Sequence, residues 1–176
     1  WGLGDYTSIW LHQQVAGRDR FVGFYENSGE GPAHYASWLD KWAAVRGVRY
    51  GRHIAPHDFD TRRPGSQGEV TTLKTIFGGL GYKMEVVARC DDKNTSIQAA
   101  RGKLPQCEFD EAECSVGIVH LEQYARDWDE NLGVWKSHPR HDEHCHGADA
   151  FMTFSDGYAP TPDSKPIKFQ RRKGIV

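Results

Sequence analysis

The sequence predicts an α/β domain with a mixed sheet flanked by helices. Three observations carry this expectation. Two segments rich in β-forming residues, separated by a short turn, open the chain. Helical patterns with one apolar face then alternate with short strand patterns. The 176 residues are 38% hydrophobic and include six Trp, seven Tyr and eight Phe, enough large side chains for one packed core. An opening hairpin in an otherwise alternating chain makes the sheet mixed rather than wholly parallel.

The elements follow in order. "TSIWLHQQV" (7–15) reads as a strand, "AGRDR" as a turn and "RFVGFYE" (20–26) as the returning strand. "NSGEGP" leads into a helix, with Gly31 as N-cap and Pro32 as first helical residue. Tyr35, Trp38, Leu39 and Trp42 give that helix one apolar face, and Gly47 ends it. "VRYGRHIAP" (48–56) is a strand stopped by Pro56, and "HDFDTRRPGSQGE" is a polar loop. "EVTTLKTIFGGLG" is a second helix, with Val70, Leu73, Ile76 and Phe77 aligned. "YKMEVVARC" is a strand, and "NTSIQAARGKL" a short helix capped by Asn94 or Thr95. "DEAECSVGIVHLEQYARDW" reads as one longer helix, with Gly117, Leu121, Tyr124 and Trp128 on a stripe. A small hairpin turns at Gly133, and a last helix runs from near Asp142 to near Gly157.

Composition excludes several classes. No apolar run approaches the ~20 residues that span a bilayer, and no secretory signal is evident. There is no GxxxxGK[ST], so no P-loop. A net charge of −2 is not that of a globally basic nucleic-acid binder. The basic stretch is local: "KPIKFQRRKG" (165–174) reads either as a solvated end or as a segment that meets phosphate or a partner. Cys90, Cys107, Cys114 and Cys145 form no CxxC pair and read as reduced thiols.

The chemistry concentrates in "HPRHDEHCHGADAF" (138–151). Spacings of four and three put Asp142, His146 and Asp149 on one helical stripe. Zinc would call for a second matched Cys/His pair, which is missing; taken alone, the segment reads rather as a polar helix entry, with Asp142 near the positive end of the helix dipole. In "IAPHDFD", Asp58 and Asp60 follow a strand end, where α/β sheets place their chemistry, though such an aspartate also makes turns. Carboxylates from two distant segments would form a hard-oxygen site suited to Mg²⁺ or Mn²⁺.

The segments "GDYTSIW", "FYENSGEGPAHYASWL", "YGRHIAPHD", "SIQAARGKLPQCEFDE", "YARDWDENLGVW" and "HPRHDEHCHGADAF" occur in that order. Together they resemble the C-terminal nuclease domain of tailed-phage terminase large subunits, up to about Phe154. The resemblance implies an RNase H-like fold over residues 1–158, with a small auxiliary hairpin before the last helix and a basic tail over 159–176. It implies a two-metal endonuclease using Mg²⁺ or Mn²⁺ to cut concatemeric double-stranded viral DNA during packaging in the host cytoplasm. Its partners would be DNA, the terminase small subunit and the portal protein. The "PHD" aspartate corresponds to Asp58 and the "HGADAF" aspartate to Asp149, as catalytic metal ligands. Asp142 would be an auxiliary ligand, with His146 and His57 supporting from behind the ligands. Lys136 and Arg140, with His138, are candidates for phosphate contact or are simply solvated hairpin charges. The family's first aspartate would fall immediately before Trp1, on a strand lying mostly ahead of this sequence, with Asp5 a substitute candidate. With no P-loop motif among these residues, the resemblance implies the nuclease half and not the ATPase half of such a subunit. Two rivals remain: another RNase H-like nuclease such as a resolvase, or a non-catalytic DNA- or portal-binding module.

Overall fold

The computed structural model describes residues 6–64 and 70–159. Asp5 and the basic tail from 160 onward lie outside the described residues. Strands β1 (Tyr6–Val15) and β2 (Arg18–Ser28) form the expected antiparallel hairpin. Its turn is Ala16–Gly17, both at positive φ (51° and 79°), the backbone a tight hairpin reversal needs. Helix α1 (Pro32–Arg46) starts and stops where its caps predict. Gly31 is the N-cap, Pro32 opens the helix, and Gly47 at φ 63° closes it by donating to Ala43 and Ala44 carbonyls.

The remaining elements are β3 (His53–Ala55), a 3₁₀ turn (His57–Asp60), β4 (Arg63–Pro64), β5 (Val70–Thr71), α2 (Leu73–Gly79), β6 (Met84–Val86), α3 (Lys93–Lys103), β7 (Cys107–Phe109), α4 (Ser115–Gln123), β8 (Arg126–Asp129), β9 (Val134–Pro139) and α5 (His144–Gly157). Several differ from the sequence expectation. The third strand is only three residues long, ending before Pro56 as expected. Val70 belongs to a strand and is exposed, so α2 begins at Leu73, capped by Thr72 Oγ1. The cap of α3 is Asp92, whose carboxylate accepts the Asn94 N–H. The single long helix does not form: Tyr124 ends α4, and Trp128 lies in β8.

The sheet is mixed but divided. β2 pairs antiparallel with β1 on one side and parallel with β7 on the other. β3 and β6 form a separate parallel pair, and β4–β5 and β8–β9 are small antiparallel ladders.

Helices cover both faces of the β1–β2 hairpin. Under α3, α4 and α5, the core contains Phe21, Ala100, Cys114, Ala148, Phe151, Met152 and Phe154, with Trp10 and Phe24 packed against it. Under α1 and α2 it contains Leu11, Tyr35, Ala36, Leu39, Phe77 and Tyr82, with Ile9, Val22 and Tyr25 beside them. Strand alternation explains β1, where Ile9 and Leu11 face one layer and Trp10 the other. β2 breaks alternation: Phe21 and Phe24 share a layer although three apart. The β1–β2 register slips between Leu11 and His12, so Val22 is bulged out and the following side chains change face. The result is three layers, helix on sheet on helix. No described helix is long and apolar enough to cross a membrane.

Candidate functional site

A cleft of about 790 Å³ opens beside the hairpin. It is lined by every residue from Tyr6 to Gln14 and from Val48 to Phe59. Consecutive rather than alternate residues mean that backbone edges border it, not only one face of a strand. The outer edge of β1 and the outer edge of β3 therefore both give onto this space, each strand having, among the described residues, a partner on its other side only. α5 contributes His146, Asp149 and Thr153 to the wall.

Asp58 and Asp149, almost a hundred positions apart, both line this cleft, as do His57 and His146. Asp58 sits in the 3₁₀ turn that follows β3. Pro56 ends the strand in extended geometry, its carbonyl accepts the Phe59 N–H, and Asp58 O accepts the Thr61 N–H. Phe59 anchors the turn by stacking on Phe77, ring centroids 5.7 Å apart. Asp149 is positioned by α5, whose Cys145, Ala148, Phe151 and Met152 are buried, leaving Asp149 on the flank. The start of α5 is pinned: Trp10 Nε1 donates to Gly147 O at 2.9 Å, and His120 packs so closely that a Cβ on Gly147 would lie 2.7 Å from its ring.

Each carboxylate already faces a cation. Lys93 Nζ donates to Asp149 Oδ1 at 2.6 Å, and Arg63 Nη2 lies 3.8 Å from Asp58 Oδ2. The side chains of Asp149 and Asp58 are 48% and 33% exposed, so both can be reached from solvent. Carboxylate oxygens that solvent can reach are the donors that suit Mg²⁺ or Mn²⁺, and here a protein cation stands beside each of them. His146 is half-buried, its ring 5.9 Å from that of Tyr6, and His57 is exposed.

Asp142 departs from expectation. α5 begins at His144, so Asp142 precedes the helix and does not share a stripe with His146 and Asp149. Its Oδ1 instead accepts the His144 N–H, and its Oδ2 lies 3.6 Å from Arg140 Nη1. Asp142, Glu143 and His144 bring ligand atoms within 4.8 Å of one another, a separate trio. Behind it runs a chain that no sequence spacing announces. Glu26 Oε1 is 2.8 Å from His120 Nε2, and His120 Nδ1 is 3.0 Å from His144 Nδ1.

Lys136 and Arg140 lie on the β8–β9 hairpin and both approach Asp127, at 3.5 Å and 2.7 Å. The Arg140 hydrogen bond, with help from Lys136, holds the Asp127 carboxyl below its ordinary range. Both candidates for phosphate contact thus already share a carboxylate partner. His138, on the same hairpin, is exposed. Trp128 and Trp135 pair across the hairpin with ring centroids 5.2 Å apart, and both are exposed. The four cysteines are free; burial pushes the Cys107 and Cys114 thiols up to about 11, which suits packing rather than nucleophilic chemistry.

No family model matches this sequence, and no curated protein matches it. Solved structures do. Two crystal structures of the large terminase from a thermophilic bacteriophage, in different crystal forms, superpose with TM-scores of 0.62 and 0.59 at 16% identity. The chain shares its fold with part of a phage large terminase. The match covers 88% of this chain and 37% of the terminase, so the chain spans little more than a third of its structural neighbour. At that identity the likeness concerns fold, and the residues on the cleft have to make the functional case themselves.

Proposed function

We propose that this chain is the nuclease portion of a phage DNA-packaging terminase, a metal-dependent endonuclease of RNase H-like architecture acting on double-stranded viral DNA. The observation that carries the reading is that Asp58 and Asp149, from two distant segments, line the same cleft, within a fold shared with a large terminase. A strand-end carboxylate and a late-helix carboxylate are also the pair that the sequence resemblance singles out. The hairpin, crossover helix and parallel pair that follow it are compatible with the RNase H-like arrangement.

Asp58 and Asp149 would hold the cations, with His57 and His146 flanking them. Two divalent cations held together stabilise the attacking and leaving oxygens of a phosphodiester. The protein's own contributions are distinct from that. Phe59 and the pinned start of α5 fix where the two carboxylates stand, and the cations Lys93 and Arg63 offset their charge beforehand. Lys136 and Arg140 supply charge for the DNA backbone, which positions the duplex without reading its sequence. The reading places the protein in the host cytoplasm, working with the small subunit and portal protein.

The test is nicking of supercoiled plasmid across a Mn²⁺ titration. Open-circle product that appears with Mn²⁺, disappears with chelator and is lost in Asp58→Asn supports the reading. Equal nicking in Asp58→Asn, with contaminating nuclease controlled, overturns it.

A further inference from the structure

The strongest unassigned feature is the ammonium on Asp149. Lys93 is the first residue of α3, and α3 packs along α5. Two polar links join these helices: Lys93 to Asp149, and Ser96 Oγ to Asp156 Oδ2 at 2.6 Å. Ser96 is buried, so the second link fixes the backbone of α3 against α5. The Lys93 side chain is different, being 41% exposed on a flexible stem. Its backbone is held while its ammonium can swing away.

That ammonium occupies coordination space. A Mg²⁺ ligand oxygen stands about 2.0–2.1 Å from its ion. An ion on the oxygen already in 2.6 Å contact with the ammonium would stand roughly 4 Å from that second cation, close enough for the two to repel. Coulomb repulsion therefore opposes a divalent ion at Asp149 as long as Lys93 stays.

We propose that Lys93 is a built-in competitor for the metal at Asp149: it holds Oδ1 until an ion binds, and is then released toward a DNA phosphate. This rests on the metal-site reading above and makes Lys93 a positioning residue that couples metal loading to substrate contact. The released ammonium keeps a partner only when a phosphate is present, so DNA should favour loading of the ion.

The test is Mn²⁺ binding to the folded protein, followed by electron paramagnetic resonance of free Mn²⁺, without reference to activity. Lys93→Met should tighten Mn²⁺ binding by about tenfold, the scale of removing one charge beside a divalent ion at a half-exposed site. Lys93→Arg should bind as the wild type does, and Asp149→Asn should lose the site. A short duplex should tighten Mn²⁺ binding in the wild type and not in Lys93→Met. Lys93→Gln provides a polar variant should the apolar one misfold, with circular dichroism as the check on folding. Equal Mn²⁺ affinity in wild type, Lys93→Met and Lys93→Gln overturns the competitor role while leaving the metal site standing. No Mn²⁺ binding by either wild type or the Lys93 variants removes the metal site, and this inference with it.

Discussion

Asp149→Asn separates a ligand from a structural residue. The substitution keeps the side chain's shape and removes its charge. The Asp149 backbone carbonyl still accepts the Thr153 hydroxyl at 2.9 Å, so α5 keeps its local bonding. The interaction lost is the ion pair with Lys93, whose two side chains are 41% and 48% exposed. At that exposure solvent screens the pair, and its loss costs about 0.2–1 kcal/mol. For a domain of this size that is a fall in Tm of at most about 4 °C. Metal-dependent cleavage should instead fall by at least about a hundredfold, the upper end of what losing an outer partner of a metal ligand costs. The assays are thermal unfolding and plasmid nicking on the same preparation. Nicking at the wild-type rate would refute the ligand role. A Tm drop of roughly 10 °C with proportionate loss of activity would show that Asp149 acts through the fold.

Three further outcomes follow from the packing. Gly117→Ala places a Cβ 2.4 Å from Trp10 and 2.7 Å from Phe24, overpacking the core by about 1–3 kcal/mol, and thermal unfolding should show Tm lower by roughly 2–12 °C. Burial lowers the pKa of His12 despite its bond to Asp19, and burial also lowers that of His53, so both favour the neutral ring in the folded state. Their contribution is complete above the unfolded value near 6.5 and is lost as pH falls from there through the folded values; chemical denaturation between pH 7.5 and 5 should show falling stability, with a shallower slope in His12→Gln. Fusing an extended β-forming segment ahead of Trp1 should raise Tm, because the edges of β1 and β3 both border the cleft; an unchanged Tm with no gain in amide protection along β1 would count against a strand-accepting cleft.

Local signals are readable where local physics decides the structure. Gly31, Pro32 and Gly47 bound α1 because caps and φ preferences act within a few residues. The β1–β2 hairpin and the turn at Gly133 follow for the same reason. The single helix expected over 110–128 fails, and 107–109 carries no strand signal of its own, because the partners are remote. Cys107–Phe109 becomes a strand by pairing with Asp19–Phe21, and Trp128 is drawn into β8 by Trp135. Helical spacing cannot report either. The stripe drawn through Asp142 misreads the register: the helix begins two residues later, after its N-cap Glu143, so a periodicity that starts at Asp142 starts on the wrong side of the boundary. Asp58 and Asp149 can be singled out from the sequence, but the cations on them cannot. Lys93 reaches Asp149 across 56 positions, and His120 reaches Glu26 across 94, pairings that exist only once the layers close.

Locating bound Mn²⁺ by anomalous diffraction, in crystals of the protein with a short DNA duplex, distinguishes the cleft from every other place an ion could sit. The proposed nuclease centre requires Mn²⁺ density in contact with the carboxylates of Asp58 and Asp149, with Lys93 moved off Asp149 Oδ1. Density confined to Asp142, Glu143 and His144, or a cleft without Mn²⁺ at saturating concentration, would contradict it.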